Sequence, residues 1–435
     1  MSTRSGRPLL ARQLLTLSLL FGGYAALYFC RADLSVGTPL LAGELAHGGL
    51  SHSEALVRLG AVSSFGVGAY AVGKLFLGGL GDFWGGRLNF LIGLAGATVF
   101  TLLFAWGGGV PLFTLAWIGN RLTQSLSWAG LIKVSSRWFD HARHGTVIGI
   151  LSVSYLIGDA VARGAMGALI GYGFGWRALF YFAAAVCGIL WLANGLWLRE
   201  SRVEVGFCEA RVNPHNLFGE GGGRPSTVGA LLGPLLRSRA FLLVCILSFG
   251  ATIVRETFNT WTPQYLRDFA GLPVSLAAAW SALFPGVGAV SVLLSGWLSD
   301  RLGESGRAAL LFIGLLGTCA GLILLTSLHA GVTGALLPLT GIGVAAFCLL
   351  GPYSYLGGAM ALDFGGRQAG AVSSGIIDGV GYLGGVLAGF SVPLVAESHG
   401  WQGVFIALAA VSAVAALGAG WLLLHNRAQP AARPA

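Results

Sequence analysis

Charge is what this sequence has least of. Of its 435 residues, 10% are Asp, Glu, Lys or Arg, against roughly a quarter in an average soluble domain. So few charges cannot cover a water-facing surface of this size, which excludes an ordinary soluble enzyme and a disordered chain. Methionine is scarce, with 3 residues, and the 6 cysteines are scattered. Cys30, Cys187, Cys245, Cys319 and Cys348 lie in apolar stretches and Cys208 in a polar one. That spacing gives neither a disulfide framework nor a metal site. The sequence has no GxxxxGK[ST] run for nucleotide phosphates and no nucleophile–base constellation, so no cofactor, no metal and no enzymatic activity are expected.

Apolar and small residues are plentiful. Hydrophobic residues make up 55% of the chain and glycine accounts for 70 residues, more than twice the usual ~7% share. Such small residues suit helices that pack closely in lipid. The N-terminus, MSTRSGRPLLARQLL, is basic and then apolar like a signal peptide. Its apolar run continues past Tyr28 with no small-residue cleavage site, so it reads as a retained first helix.

A helix crossing a bilayer needs about 20 mostly apolar residues. Twelve stretches qualify: 13–42, 55–80, 88–106, 111–133, 145–171 and 176–198, then 240–263, 272–297, 307–328, 331–358, 370–396 and 401–424. Between the two sets, 199–238 is polar and contains a Gly221–Gly223 turn. The expected fold class is therefore an all-α membrane protein of twelve transmembrane helices. Residues 1–198 and 239–435 form two six-helix bundles, joined by a linker at 199–238.

Lys and Arg in the loops set the orientation. Eighteen fall on the side of the termini and the linker, and only Arg58, Arg177 and Arg267 on the other. Both termini are expected in the cytoplasm, in the plasma (inner) membrane. The net charge of +9 is thus mainly a topology signal, and no nucleic-acid partner is expected.

The chain also repeats itself. RADLSVGTP from Arg31 matches RETFNTWTP from Arg255, each with six residues between Arg and Thr-Pro. GGLGDFWGGR around Asp82 matches SGWLSDRLGESGR around Asp300. Gly145 to Trp176 and Gly370 to Trp401 both span 31 positions. The offsets, 224, 218 and 225, indicate two homologous halves with a substrate site near the midplane.

This architecture resembles the major facilitator superfamily. Gly78-x-x-x-Asp82…Gly86-Arg87 and Gly296-x-x-x-Asp300-Arg301-x-Gly303 resemble its loop motif, in which Asp and Arg cap helix ends and latch the cytoplasmic face. Phe83 stands where the motif has a basic residue, so the first latch is expected to be the weaker.

Five basic residues remain inside the spans: Arg31, Lys74, Arg121, Arg163 and Arg255; the acids there are Asp159, Glu256 and Asp378. An ionised side chain at the bilayer centre costs roughly 2.5–3.5 kcal/mol, so an excess of positive charge points to an anion. The repeat sets Arg31 and Arg255 as a symmetric pair, and two guanidinium forks suit a phosphate. The alternative is internal pairing with Glu256 or Asp33. Asp159 and Arg163, four apart, are expected to pair, and Arg121 is placed to snorkel toward the outer face. Asp378 has no basic partner in its own span; it is left to meet Lys74 or Arg121, select a hydroxyl-rich substrate, or carry a proton.

GYAALYFCRADLSVGTPLL, AYAVGKLFLGGLGD, TQSLSWAGLIKVSSRWF, RETFNTWTPQYL and GYLGG at Gly381–Gly385 are similar to segments of the organophosphate:phosphate antiporters. That resemblance implies that Arg31 and Arg255 hold the substrate phosphate with Lys74 nearby. It also sets Tyr24, Tyr28, Tyr70 and Tyr382 as cavity tyrosines. Tyr24 and Tyr28 share a helical face with Arg31, and Asn259 follows Arg255 by four residues. Ser154 occupies the position of a family histidine, and Ala32 replaces a frequent basic residue, which leaves the substrate's organic part open. The expected function is exchange of an organic phosphate ester for inorganic phosphate by alternating access. A proton-coupled organic anion symporter and a non-transporting sugar-phosphate sensor are the alternatives. The expected partners are a small anion and the bilayer, with the chain a monomer.

Overall fold

Why the chain folds into long helices is legible at their ends. The computed structural model describes residues 6–219, 227–272, 280–328 and 335–428. The Gly221–Gly223 turn and the starts of the eighth and tenth candidate spans lie outside those residues. The helices are α1 Gly6–His47, α2 His52–Phe76, α3 Leu80–Trp84, α4 Gly86–Trp106, α5 Val110–Trp138, α6 His144–Gly171 and α7 Trp176–Trp197. Then come α8 Val228–Arg237, α9 Arg239–Ala270, α10 Leu283–Thr326, α11 Leu336–Tyr355, α12 Ala361–Gly365 and α13 Gly370–Ala428. A π-helical turn, Leu356–Met360, joins α11 to α12.

Ser51 starts α2 with a capping box: its hydroxyl accepts from Glu54 N at 3.2 Å, and the Glu54 carboxylate accepts from Ser51 N at 2.9 Å. These donors hold the exposed Glu54 carboxyl below its ordinary value. Gly85, at φ 100°, turns the chain from α3 into α4 in a conformation that other residues rarely adopt. Glu200 then caps α4, accepting from Gly86 N at 2.9 Å and Arg87 N at 2.7 Å, where the helix dipole favours an anion.

Among the described residues, eleven helical stretches are long and apolar enough to cross a membrane. Helix α5 is the twelfth by length; Asn120, Arg121, Gln124 and Lys133 lower its hydropathy. Helices α10 and α13 each contain two of the stretches. Large side chains that would be buried in a soluble protein are exposed, among them Phe76, Phe390 and Leu417, each 74% accessible. An apolar exterior of this kind is made for lipid. The protein is a multi-pass membrane protein.

The chain divides into two compact units. The first comprises Met1–His141, Leu151–Leu231 and Gly365–Ile376; the second comprises Ala142–Ile150, Leu232–Phe364 and Ile377–Ala435. In the first, α4 packs on α5 and α7, α2 on α5, and α1 on α7. Phe104 is the hub of one end, stacked 4.5 Å from Phe180 and 4.6 Å from Phe113. In the second, α10 folds back on α11. Each unit also takes a short segment from the other half of the sequence: the start of α6 joins the second and the start of α13 joins the first. The polar linker is fastened rather than loose up to Arg211. Asp140 accepts from Arg202 Nη2 at 3.0 Å and from Arg211 N at 2.7 Å.

Candidate functional site

In the first unit the site rests on α1, α2 and α5. Gly73 permits it: a Cβ there would lie 2.1 Å from Ser125 Oγ and 3.1 Å from Leu122 O. Without a side chain, α2 lies against α5 where Tyr70 and Lys74 meet it. Tyr70, 1% accessible, is the centre of the cluster. The Arg31 guanidinium carbon lies 4.5 Å from its ring centroid, Arg121 5.1 Å and the Lys74 ammonium 5.5 Å. Each contact sets a cation on the negative face of a π-system. Arg121 therefore turns inward to this ring and to Trp117, 5.8 Å away, instead of snorkelling outward.

Arg31 is held in a fixed pose. Its Nε donates to Gln124 Oε1 at 2.6 Å and its Nη1 to Tyr28 Oη at 3.1 Å. Gln124 is itself oriented, because its Nε2 donates to Asn120 Oδ1 at 2.6 Å and to Cys30 O at 3.2 Å. Asn120 Nδ2 in turn donates to Thr101 Oγ1 at 2.9 Å. Gln124 and Asn120 are fully buried and Thr101 is 1% accessible, so the chain has one satisfied arrangement. Tyr24 stacks at an angle on Tyr28 (5.9 Å) and Trp128 (5.1 Å), and Tyr28 meets Tyr155 at 5.7 Å.

In the second unit, Arg255 on α9 lies 4.5 Å from the Tyr353 ring and 5.8 Å from the Tyr382 ring. Its Nη2 pairs with the Glu256 carboxylate. Thr252 Oγ1 donates to Tyr353 Oη at 3.3 Å. Asp378, on α13, packs against the π-helical turn, with Oδ1 2.0 Å from where a Cβ on Gly357 would stand. Two expected residues stand apart from these contacts. Ser154, fully buried, turns its hydroxyl back onto Leu151 O at 2.5 Å, a bond a serine makes readily within its own helix. Asn259 is exposed on α9. Asp159 and Arg163 pair at 2.8 Å as expected.

The loop motifs fasten helix starts, with different cations from those expected. Asp82 accepts from Val372 N at 2.7 Å and Ala371 N at 3.2 Å, and its cation is Lys133 at 2.6 Å. Asp300 accepts from Gly145 N and Thr146 N, both at 2.7 Å, with Arg307 at 3.6 Å. Arg307 Nη1 also donates to both Asp363 carboxylate oxygens, at 2.5 and 2.6 Å. Arg87 instead donates to Gly195 O at 2.6 Å, and Arg301 lies over Trp297 at 3.9 Å. Nor is the first motif short of contacts: the charge missing at Phe83 is supplied by Lys133, closer to its aspartate than Arg307 is to Asp300.

Gln124, Asn120 and Tyr353 join the expected residues in these clusters, and Asp33, 0% accessible, is a further acid inside the spans. The available signal was Asn120 and Gln124, two amides four apart in an apolar span and so on one helical face.

The sequence profile of the Major Facilitator Superfamily matches residues 20–389. The chain is 27% identical over 415 residues to a probable hexose phosphate transport protein of Chlamydia muridarum, covering 92% of this chain and 88% of that protein. It is 25% identical over 406 residues to the membrane sensor protein UhpC of Escherichia coli, covering 91% and 88%. The proton:xylose symporter XylE has a similar fold, with a TM-score of 0.71 at 16% identity over 94% of this chain and 95% of that one.

Proposed function

The chain belongs to the Major Facilitator Superfamily, and we propose that it is a secondary transporter that exchanges an organic phosphate ester for inorganic phosphate by alternating access. The observation that carries this reading is the convergence of Arg31, Lys74 and Arg121 on Tyr70. A guanidinium already oriented through Nε binds a phosphate with less loss of freedom than a mobile one. Lys74 adds an adaptable point charge. Arg255, ringed by Tyr353 and Tyr382, is the repeat-related counterpart, and Tyr24, Tyr28 and Tyr382 offer hydroxyls and rings to the organic part. The relative named a hexose phosphate transport protein supports a phosphorylated sugar as that part.

The transporting halves are 1–198 and 239–435, with 199–238 between them, working as a monomer in the inner membrane with both termini cytoplasmic. The caps at Asp82 and Asp300 are the contacts that break and re-form as the halves change state. In proteoliposomes, Arg31→Lys or Arg255→Lys abolishes phosphate exchange while the purified protein keeps its helical content. Near-normal exchange in both variants refutes the proposal. The likeness to a membrane sensor supports a second reading, in which the same cluster binds a sugar phosphate without flux. Thermal stabilisation by hexose phosphate with no exchange of either solute selects it.

A further inference from the structure

The two repeat-related arginines are held by chemically different partners. Arg31 gives its Nε to a neutral amide, Gln124, whose orientation is fixed by Asn120 and Cys30 O. Gln124 thus orients the guanidinium without drawing on its charge. Arg255 gives its Nη2 to a carboxylate, Glu256, on the next residue of the same helix. Resting on the phosphate reading above, we infer that Glu256 is a built-in counter-ion of Arg255 that the substrate phosphate has to displace, so that residue 256 sets how tightly phosphate is held.

The surroundings are built for such an exchange. Gly385 faces the Glu256 stem: a Cβ there would lie 3.0 Å from Glu256 Cγ and 3.6 Å from Thr252 Cγ2. Its neighbours in GYLGG serve the same approach, since a Cβ on Gly384 would lie 2.4 Å from Phe249 O and one on Gly381 2.6 Å from Ser248 Oγ. Helix α13 therefore lies close on α9 and directs the Glu256 stem to its partner. The pair is only part-buried, with side-chain accessibilities of 13% for Arg255 and 26% for Glu256, so the carboxylate can swing away without unfolding α9. A phosphate arriving at Arg255 replaces one oxyanion by another and satisfies the same guanidinium donors. The arginine therefore keeps an anionic partner with substrate absent, and the affinity is lowered by the competition. A transporter gains from this, because a site that holds substrate too tightly releases it slowly.

The test measures equilibrium binding of inorganic phosphate to the purified full-length protein, together with phosphate exchange in proteoliposomes. Glu256→Gln removes the competing charge at nearly constant shape, so the Kd falls at least tenfold while maximal exchange slows. Damage to the fold cannot produce tighter binding. Glu256→Asp draws the carboxylate back by one methylene and shifts the Kd in the same direction by a smaller factor. Gln124→Glu gives Arg31 a carboxylate partner of the same kind and weakens binding at least tenfold. An unchanged or raised Kd in Glu256→Gln, with binding still lost in Arg31→Lys, overturns this inference alone. Phosphate binding that does not depend on Arg31 overturns the phosphate reading with it.

Discussion

Lys133→Met is the substitution with the largest expected effect on stability. The Lys133 ammonium lies 2.6 Å from Asp82 Oδ1, and the two side chains are 1% and 0% accessible. It also donates to Arg367 O and, at 3.3 Å, to Gln368 O. Methionine keeps the length of the stem, so little cavity opens; what is lost is the charge. Removing one member of a buried pair costs about 3–5 kcal/mol, because the other is left buried and uncompensated. The exposed Asp159–Arg163 pair, at 36% and 50% accessibility, is by contrast worth about 0–1 kcal/mol. At roughly 2–4 °C per kcal/mol for a unit of this size, Lys133→Met lowers the Tm by roughly 6–20 °C.

Thermal unfolding in detergent, followed by tryptophan fluorescence, reads this shift, with Asp159→Asn as the control. A double variant, Asp82→Asn with Lys133→Met, removes both charges. Because replacing a buried ion pair by uncharged groups is often close to neutral, it unfolds at a higher temperature than Lys133→Met alone. A Tm within about 2 °C of wild type for Lys133→Met, or a double variant less stable than that single one, refutes the reasoning.

Three further outcomes are expected. Gln124→Leu leaves Arg31 Nε and Asn120 Oδ1 without the partners seen here, at about 1–3 kcal/mol for each buried polar group. Phosphate affinity, read by isothermal titration, falls about tenfold or more, and an unchanged Kd shows that Gln124 does not orient Arg31. Gly73→Val drives a side chain into Ser125, 2.1 Å from the Cβ position. It abolishes exchange in proteoliposomes, and preserved exchange shows that α2 need not lie so close to α5. Burial raises the Glu44 carboxyl, but hydrogen bonds from Trp176 (2.7 Å) and Arg177 (2.8 Å) outweigh it and hold the group below its ordinary value. A depressed carboxylate gives stability that is full above about pH 4.3, the unfolded value, and is lost as the pH falls below it. Being half exposed, it contributes less than about 1 kcal/mol. Glu44→Gln therefore flattens the acid limb of a Tm-against-pH curve slightly, and an identical limb in both proteins refutes the assignment.

Periodicity and hydropathy are local, so the helices and their approximate ends were legible in the sequence. The cations of the loop motif were not. Asp82 and Asp300 were readable from their repeated glycines, yet the charges that meet them come from Lys133 on α5 and from Arg307, the last residue of the repeated SGWLSDRLGESGR segment. Sequence neighbours such as Arg87 and Arg301 were the natural candidates, but Arg87, at the start of α4, turns to Gly195 O, and Arg301, within α10, lies over Trp297. Ser154 shows the same limit: its position along α6 was readable, while the direction of its hydroxyl depends on a bond to its own backbone. Tyr70 was readable only as one tyrosine among several. Its place among three cations needed the approach of α2 to α5 that Gly73 permits.

The repeat carries two kinds of information, and they are not equally symmetric. The framework has kept the symmetry: Asp82 and Asp300 each accept two backbone N–H groups at a helix start, and each has a cation within 4 Å. The chemistry around the arginines has not. Arg31 leans on a neutral amide chain and shares Tyr70 with Lys74 and Arg121, whereas Arg255 leans on a carboxylate. A symmetric reading of the motifs gives two equal forks for one phosphate. The contacts instead describe one half that concentrates positive charge and one that offsets its own. If phosphate is the ligand, as proposed above, Arg31→Lys raises the phosphate Kd by a larger factor than Arg255→Lys does. Equal losses in the two variants would restore the symmetric clamp.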